Sequence, residues 1–362
     1  MENLIIPQQQ DLAPIAGLDA LSAHLQALLS DQSLAPDPKL CNDVEFQLTD
    51  ANTPPLLPRL LPTLQALLQL ERPSDPTPLL TLTTKLLAPL TFRQVVPAMM
   101  TVEDILRCLS SPLESAKMFG LEVIHKAASS PQDVDTLTSL DNGTLVNDLL
   151  NVWMQPSELP DVPAKASRVL LDLLTTDCSV PVASSMVNGI NGTNGHPPVG
   201  SGRLWHLLLT HESSASIVVE YCTPSYDRDA RQTSLSQGRL LRLLPHLATL
   251  NLPMLTGHPH PRLPEPLLPW AAYHMVDKQD VLMVMMLADF WQHLVLEMRT
   301  HRSEANDAIM KELIHWACAE EDGNVGAYVS DGLRGWEAWS ERPIEEDDIR
   351  DLGRYVQYLL DN

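Results

Sequence analysis

The chain has 362 residues, 44% of them apolar and only 5% aromatic, and a formal net charge of −22. A surface this acidic repels phosphate backbones and anionic lipids, which argues against a broad nucleic-acid or membrane face; it either complements a basic protein partner or serves solubility alone. Leu dominates the apolar content and β-branched residues are comparatively scarce, so the composition leans toward helix.

Apolar spacing is helical almost throughout. Leu18, Leu21, Leu25, Leu28 and Leu29 fall on one face of a first helix. A second is expected over 56–70, with Pro55 and Pro58 near its start, and a third over 79–87. Thr101-Val102-Glu103-Asp104 opens the next, with acids placed for the helix dipole. Ser111-Pro112-Leu113-Glu114 reads as an N-cap serine, a proline at the first helical position and a glutamate at the third, opening a helix to about residue 128. Short helices are expected from Ser130-Pro131, over 144–154 and over 163–175.

The composition then shifts. Residues 179–202 are rich in Ser, Asn, Gly, Pro and Val, with three Asn-Gly steps, and offer no face to bury. A disordered loop is expected there. Helices resume over 203–209, 213–221 and 233–250, the last with a kink expected at Pro245. A proline-rich connection covers 258–269, and helices follow over 270–276, 279–299, 305–319 and 349–360. Ile217-Val218-Val219 is the best strand candidate and is too short to stand.

Two segments align. ESAKMFGLEVIHK at 114–126 and VPAKASRVLLDLL at 162–174 share Ala-Lys and later apolar positions. Their offset is near the ~40–47-residue period of HEAT and armadillo arrays. Short helices with short connections point the same way, because stacked pairs bury each other's faces. The expectation is an all-α chain: a HEAT/armadillo-type α-solenoid, a right-handed superhelix of helix pairs, forming one domain over 1–362.

Cys41, Cys108, Cys178, Cys222 and Cys318 are odd in number and form no C-x-x-C pair, which fits a reducing compartment better than a disulfide framework or zinc site. The N-terminal residues lack the pattern of a signal peptide, and the longest charge-free apolar run, 281–288, falls short of the ~20 residues of a membrane span. A cytoplasmic or nuclear chain is expected. No phosphate-binding or metalloprotease motif is present, so no enzyme, cofactor or metal is expected. Gly200-Ser201-Gly202 before a helix is either a phosphate cradle or the end of the loop. His258 and His260 lack further ligands for a metal. Met283, Met285 and Met286 belong either to a buried core helix or to an adaptable binding groove. The acidic run Glu345-Glu346-Asp347-Asp348 either offsets a helix dipole or docks a basic partner.

Three segments in order, Ala164-Lys165-Ala166-Ser167-Arg168-Val169-Leu170-Leu171-Asp172-Leu173-Leu174, Gly200-Ser201-Gly202-Arg203-Leu204-Trp205 and Gln237-Gly238-Arg239-Leu240-Leu241-Arg242-Leu243-Leu244-Pro245, resemble the 26S proteasome non-ATPase regulatory subunit 5 family. They are nearest its fungal branch, which also carries the label DNA mismatch repair protein. The resemblance is firmest over 111–265. It implies a HEAT/armadillo superhelix that acts as an assembly chaperone. Such a protein holds the C-terminal domain of one AAA-ATPase subunit of the proteasome base, as a monomer and without turnover. An accessory role in mismatch repair and a generic HEAT-repeat scaffold are the alternatives.

In such an array the second helix of each pair lines the concave face. Alternation from 111–128 as an outer helix makes 144–154 and 203–209 inner. Their polar side chains, Asn147, Asp148, Asn151, Arg203 and His206, either solvate that face or are the candidate partner-binding residues. Trp205 beside them is either core or an interface anchor.

Overall fold

A computed structural model describes residues 15–70, 73–157, 160–178, 200–225, 228–319 and 346–361. Among these the chain is entirely helical, with no strand. Its contacts group it into two compact units, 1–148 and 149–362. Residues 179–199 of the expected loop lie outside the described residues, as does Glu345 of the acidic run.

The first unit holds α1 (Leu18–Ser30), α2 (Pro38–Glu45), α3 (Leu57–Gln69), α4 (Thr77–Leu87), α5 (Phe92–Ala98), α6 (Val102–Ser110), α7 (Glu114–His125) and α8 (Pro131–Ser139). The leucine spacing of α1 does what its period requires. Leu21, Leu25 and Leu28 are buried, and they meet Cys41 and Val44 of α2, Leu60, Leu64 and Leu67 of α3 and Leu79, Leu82 and Leu86 of α4 in one core. Each fully buried leucine contributes roughly 1.5–3 kcal/mol by leaving water. The helix ends are satisfied chemically. Thr101 and Asp104 form a reciprocal capping box on α6, and Ser130 accepts from Asp133 N–H ahead of Pro131 on α8. Lys126 Nζ donates to Ala88 O and Leu90 O at 3.2 and 3.1 Å, closing the C-terminal end of α4 with a cation.

The helix expected to be capped by Ser111 starts two residues later, with Leu113 at the N-cap position. Ser111 caps the C-terminus of α6 in an extended conformation, and its Oγ accepts from Leu113 N–H at 3.1 Å. That bond tightens the turn between α6 and α7, so Glu114 becomes the first residue of α7 rather than its third.

The boundary between the units falls inside α9 (Thr144–Met154). The second unit continues with α10 (Asp161–Thr176), α11 (Arg203–Thr210), α12 (Glu212–Cys222), α13 (Ala230–Gly257), α14 (Leu267–Tyr273), α15 (Val281–Arg299), α16 (Glu304–Ala319) and α17 (Glu346–Leu360). Ile217-Val218-Val219 lies within α12. Helix α13 is the centre of this unit and touches α10, α12, α14, α15 and α16, with its broadest contact on α15.

The kink of α13 is at Asn251, not at Pro245. Asn251 leaves helical geometry (φ −159°, ψ 72°), and its Oδ1 accepts from Met254 N–H at 3.2 Å. It is an N-cap placed two residues before Pro253, which restarts the helix where a missing N–H does no harm. Pro245 sits buried inside the unbroken stretch.

Candidate binding surface

The segments behind the family resemblance turn out to be joints of the second unit's interior. Asp177, fully buried, follows α10 directly. Its carboxylate accepts from Gly202 N–H at 3.1 Å, Leu204 N–H at 2.7 Å, Trp205 N–H at 3.4 Å and Ser201 Oγ–H at 3.1 Å. Burial pushes the Asp177 carboxyl above its usual range, and these bonds hold it back. Gly200 N–H donates to Cys178 O at 3.1 Å, bringing the two ends of the intervening segment together. Only glycine fits at 200, because a Cβ would lie 2.3 Å from the carbonyl carbon of Asp177. Gly202 adopts φ +72°, which also favours glycine.

This arrangement overturns the phosphate-cradle reading of Gly200-Ser201-Gly202. The amides at the start of α11 that a phosphate would need already face the Asp177 carboxylate. Trp205 is core: it is buried, and its Nε1–H donates to Leu174 O at 3.0 Å.

The third segment works in the same way. Gln237 is buried and its Nε2 donates to Cys222 O at 2.8 Å and Met275 O at 2.7 Å, tying α12 and the end of α14 to α13. Arg239 donates to the carbonyls of Trp153, Met154 and Gln155, closing the C-terminus of α9. Gln237→Leu leaves two buried carbonyls without donors, and a loss of about 2 kcal/mol in urea denaturation is expected.

Of the candidate residues read from sequence, Asn147 and Asp148 belong to the first unit and Asn151, Arg203 and His206 to the second. Asn147 and Asn151 are half-buried and one turn apart on α9. Arg203 and His206 are exposed on the first turn of α11. The His206 ring meets that of His258 edge-on at 5.7 Å between centroids. His260 has different surroundings: it is buried, and its Nδ1 accepts from Arg262 N–H at 3.3 Å.

The reactive groups elsewhere are quiet. Burial pushes the thiols of Cys41 and Cys108 up to about 11 and that of Cys222 up to about 12. These three are protonated at neutral pH and behave as packing groups. A cleft of about 420 Å³ in the first unit is walled by leucines and prolines, among them Leu67, Pro76 and Leu79. The carboxylate of Asp75 in its lining is turned to Thr77, accepting from its N–H and Oγ–H.

Helix α15 is different. Met283, Val284, Leu287, Phe290, Trp291, Leu294, Val295 and Met298 are buried, so the helix is a core element on one side. Its N-terminal turns also hold Val281, Leu282 and Met285 in water, at 72%, 64% and 60% exposure. The core and groove readings of this Met-rich helix therefore apply to different methionines: Met283 is core, Met285 is surface. Length and composition alone would let α15 cross a membrane, but its described sides include Asp289, His293 and Glu297.

Farther along α15, a cleft of about 320 Å³ lies between α13 and α15. Leu241, Pro245, Met286 and Phe290 form its apolar lining, and Arg242, His246, Asp289 and His293 its polar groups. His246 Nδ1 lies 3.6 Å from Glu297 Oε1. Gly238 on α13 makes room for Met286, whose Cε lies 2.4 Å from where a Cβ would stand. Phe46 stands exposed singly, whereas Val281, Leu282 and Met285 are exposed together on the first two turns of α15.

Among the sequence signals, only the methionines of α15 pointed at this surface, and the surrounding valine and leucine were indistinguishable from core. Neither a family model nor a curated protein matches this chain.

Proposed function

We propose that this chain is a protein-binding scaffold that holds the C-terminal domain of a proteasomal AAA-ATPase subunit during assembly of the regulatory-particle base. The observation that supports the binding class is the group of exposed apolar residues Val281, Leu282 and Met285 at the start of α15, in a chain of net charge −22. Water-exposed apolar surface of this kind gains free energy when a partner covers it. The identity of the partner rests on the sequence resemblance over 111–265, and so does the arrangement of helix pairs as a right-handed HEAT/armadillo-type α-solenoid. Pairs of consecutive helices in contact, α6 with α7 and α11 with α12, are compatible with that arrangement. The proposed role is binding without turnover, by a monomer, in the cytoplasm or nucleus, with no cofactor and no direct nucleic-acid contact.

Affinity capture from a cell extract, read by mass spectrometry, tests the reading. One ATPase subunit of the proteasome base is expected in stoichiometric amount. Recovery of mismatch-repair proteins with no base subunit would reverse it in favour of an accessory role in repair.

A further inference from the structure

We infer that the cleft between α13 and α15 is a small-molecule site for a free α-amino acid with a branched or aromatic apolar side chain. This goes beyond the protein-binding reading and does not depend on it.

Size and floor set the first limits. At about 320 Å³ the cleft lies at the small end of ligand pockets, which run from roughly 300 to 1,000 Å³, so it suits a compact ligand. Its floor is apolar. Leu241, Pro245 and Phe290 are buried there, and Met286 is half-buried, with an unbranched thioether that adapts to what it meets. Covering such a floor with a hydrocarbon side chain releases water from both surfaces.

The walls carry one charge of each sign, and helix periodicity places them. Gly238 makes room for Met286 at one end of the cleft, and His246 pairs with Glu297 at the other. Residues 238, 242 and 246 stand one turn apart on α13, and 286, 289, 293 and 297 follow one another along one side of α15. Arg242 and Asp289 therefore stand on opposite walls near the middle. Both are exposed, and among the described residues neither side chain has an ion pair or a hydrogen bond, to the other or to any further group. The histidines of the lining are engaged within the walls instead. His293 Nδ1 donates to Asp289 O at 2.8 Å, and His246 Nδ1 lies 3.6 Å from Glu297 Oε1.

A ligand with a single charge would satisfy one wall and leave the other uncompensated, whereas a zwitterion satisfies both. In an α-amino acid the bonds through Cα hold the ammonium nitrogen about 2.5 Å from the carboxylate carbon. With a charge-assisted hydrogen bond of roughly 2.8 Å at each end, that pair bridges about 8 Å. This is the scale of the roughly 8–10 Å that separates packed helices. Arg242 offers its planar fork to the carboxylate, Asp289 accepts from the ammonium, and the side chain rests on the apolar floor.

Isothermal titration of the full chain with L-leucine and L-phenylalanine tests the site. Glycine, leucinamide and N-acetylleucine serve as comparisons, lacking in turn the side chain, the carboxylate and the ammonium. Leucine is expected to bind about tenfold or more tightly than each of the three, and phenylalanine likewise than glycine. The Arg242→Gln chain is expected to lose the preference for leucine over leucinamide. Asp289→Asn is expected to lose the preference over N-acetylleucine. Both variants should keep the urea midpoint and the circular dichroism of the natural chain, because the replaced side chains face water without partners.

Absence of saturable binding by both amino acids would overturn the inference, and so would full retention of the two preferences in the variants. Binding of glycine equal to that of leucine would remove the floor from the account. Leucinamide bound as tightly as leucine would assign the cleft to the N-terminus of a protein instead, and N-acetylleucine bound as tightly would assign it to a C-terminus. Either result would replace the free amino acid.

Discussion

Replacing Asp177 with alanine is expected to cost the second unit about 3 kcal/mol, because the buried N–H groups of Leu204 and Trp205 lose their acceptor, while Gly202 N–H keeps the backbone carbonyl of residue 177. An unsatisfied buried donor costs roughly 1–3 kcal/mol, and water reaching the vacated space recovers part of the sum. Asp177→Asn keeps one acceptor oxygen and should lose about half as much. The readout is favourable: all seven tryptophans lie beyond residue 148, so indole fluorescence follows the second unit alone. A drop in urea midpoint with unchanged slope is the expected signature. A change under about 1 kcal/mol would mean that the carboxylate does not hold the joint.

Acid is expected to destabilise the same unit through His260. Burial lowers its pKa from 6.5 to about 4, and the Nδ1 that accepts from Arg262 N–H must be unprotonated to do so. The sign follows from proton counting. Between pH 6.5 and 4 the unfolded chain binds the proton and the folded chain does not, so stability falls as pH drops through that window. Above 6.5 both states are neutral at this residue and it contributes no pH dependence. The full loss, reached below pH 4, is about 3 kcal/mol, since each tenfold change in proton affinity is worth ~1.4 kcal/mol. Asp177, with its pKa raised, contributes in the opposite direction. The measurement is therefore a difference: stability against pH for the natural chain minus that for His260→Asn, which keeps an acceptor but cannot titrate. Parallel curves would contradict the assignment.

The helices were legible because leucine recurs at helical spacing, as Leu21, Leu25 and Leu28 show. Two short ones, α2 and α5, escaped because a single turn or two gives the period little room. Their signals were in the caps: Asp37 before Pro38, and Thr91 with Gln94. Asn251 before Pro253 was a cap signal of the same kind, and it decides where α13 breaks. The closure of Asp177 on Gly202 joins residues 25 apart in sequence, a pairing that composition and spacing do not encode. The apolar stripe of α15 was hidden for another reason. Valine, leucine and methionine surround that helix on every side, and only packing against α13 determines that Met283 turns inward while Met285 stays in water. The concentration of tryptophan and tyrosine after residue 148, by contrast, was in plain sight and marks the second unit as the one with bulky aromatic packing.

The most direct test of the binding account is native mass spectrometry of the purified chain mixed with the purified C-terminal domain of each proteasome base ATPase subunit in turn. One of these domains is expected to form a one-to-one complex. The complex should weaken by about tenfold or more, ~1.4 kcal/mol, with Leu282→Ser and Met285→Gln. Absence of any complex with these domains, alongside a stable complex with a mismatch-repair protein, would contradict it.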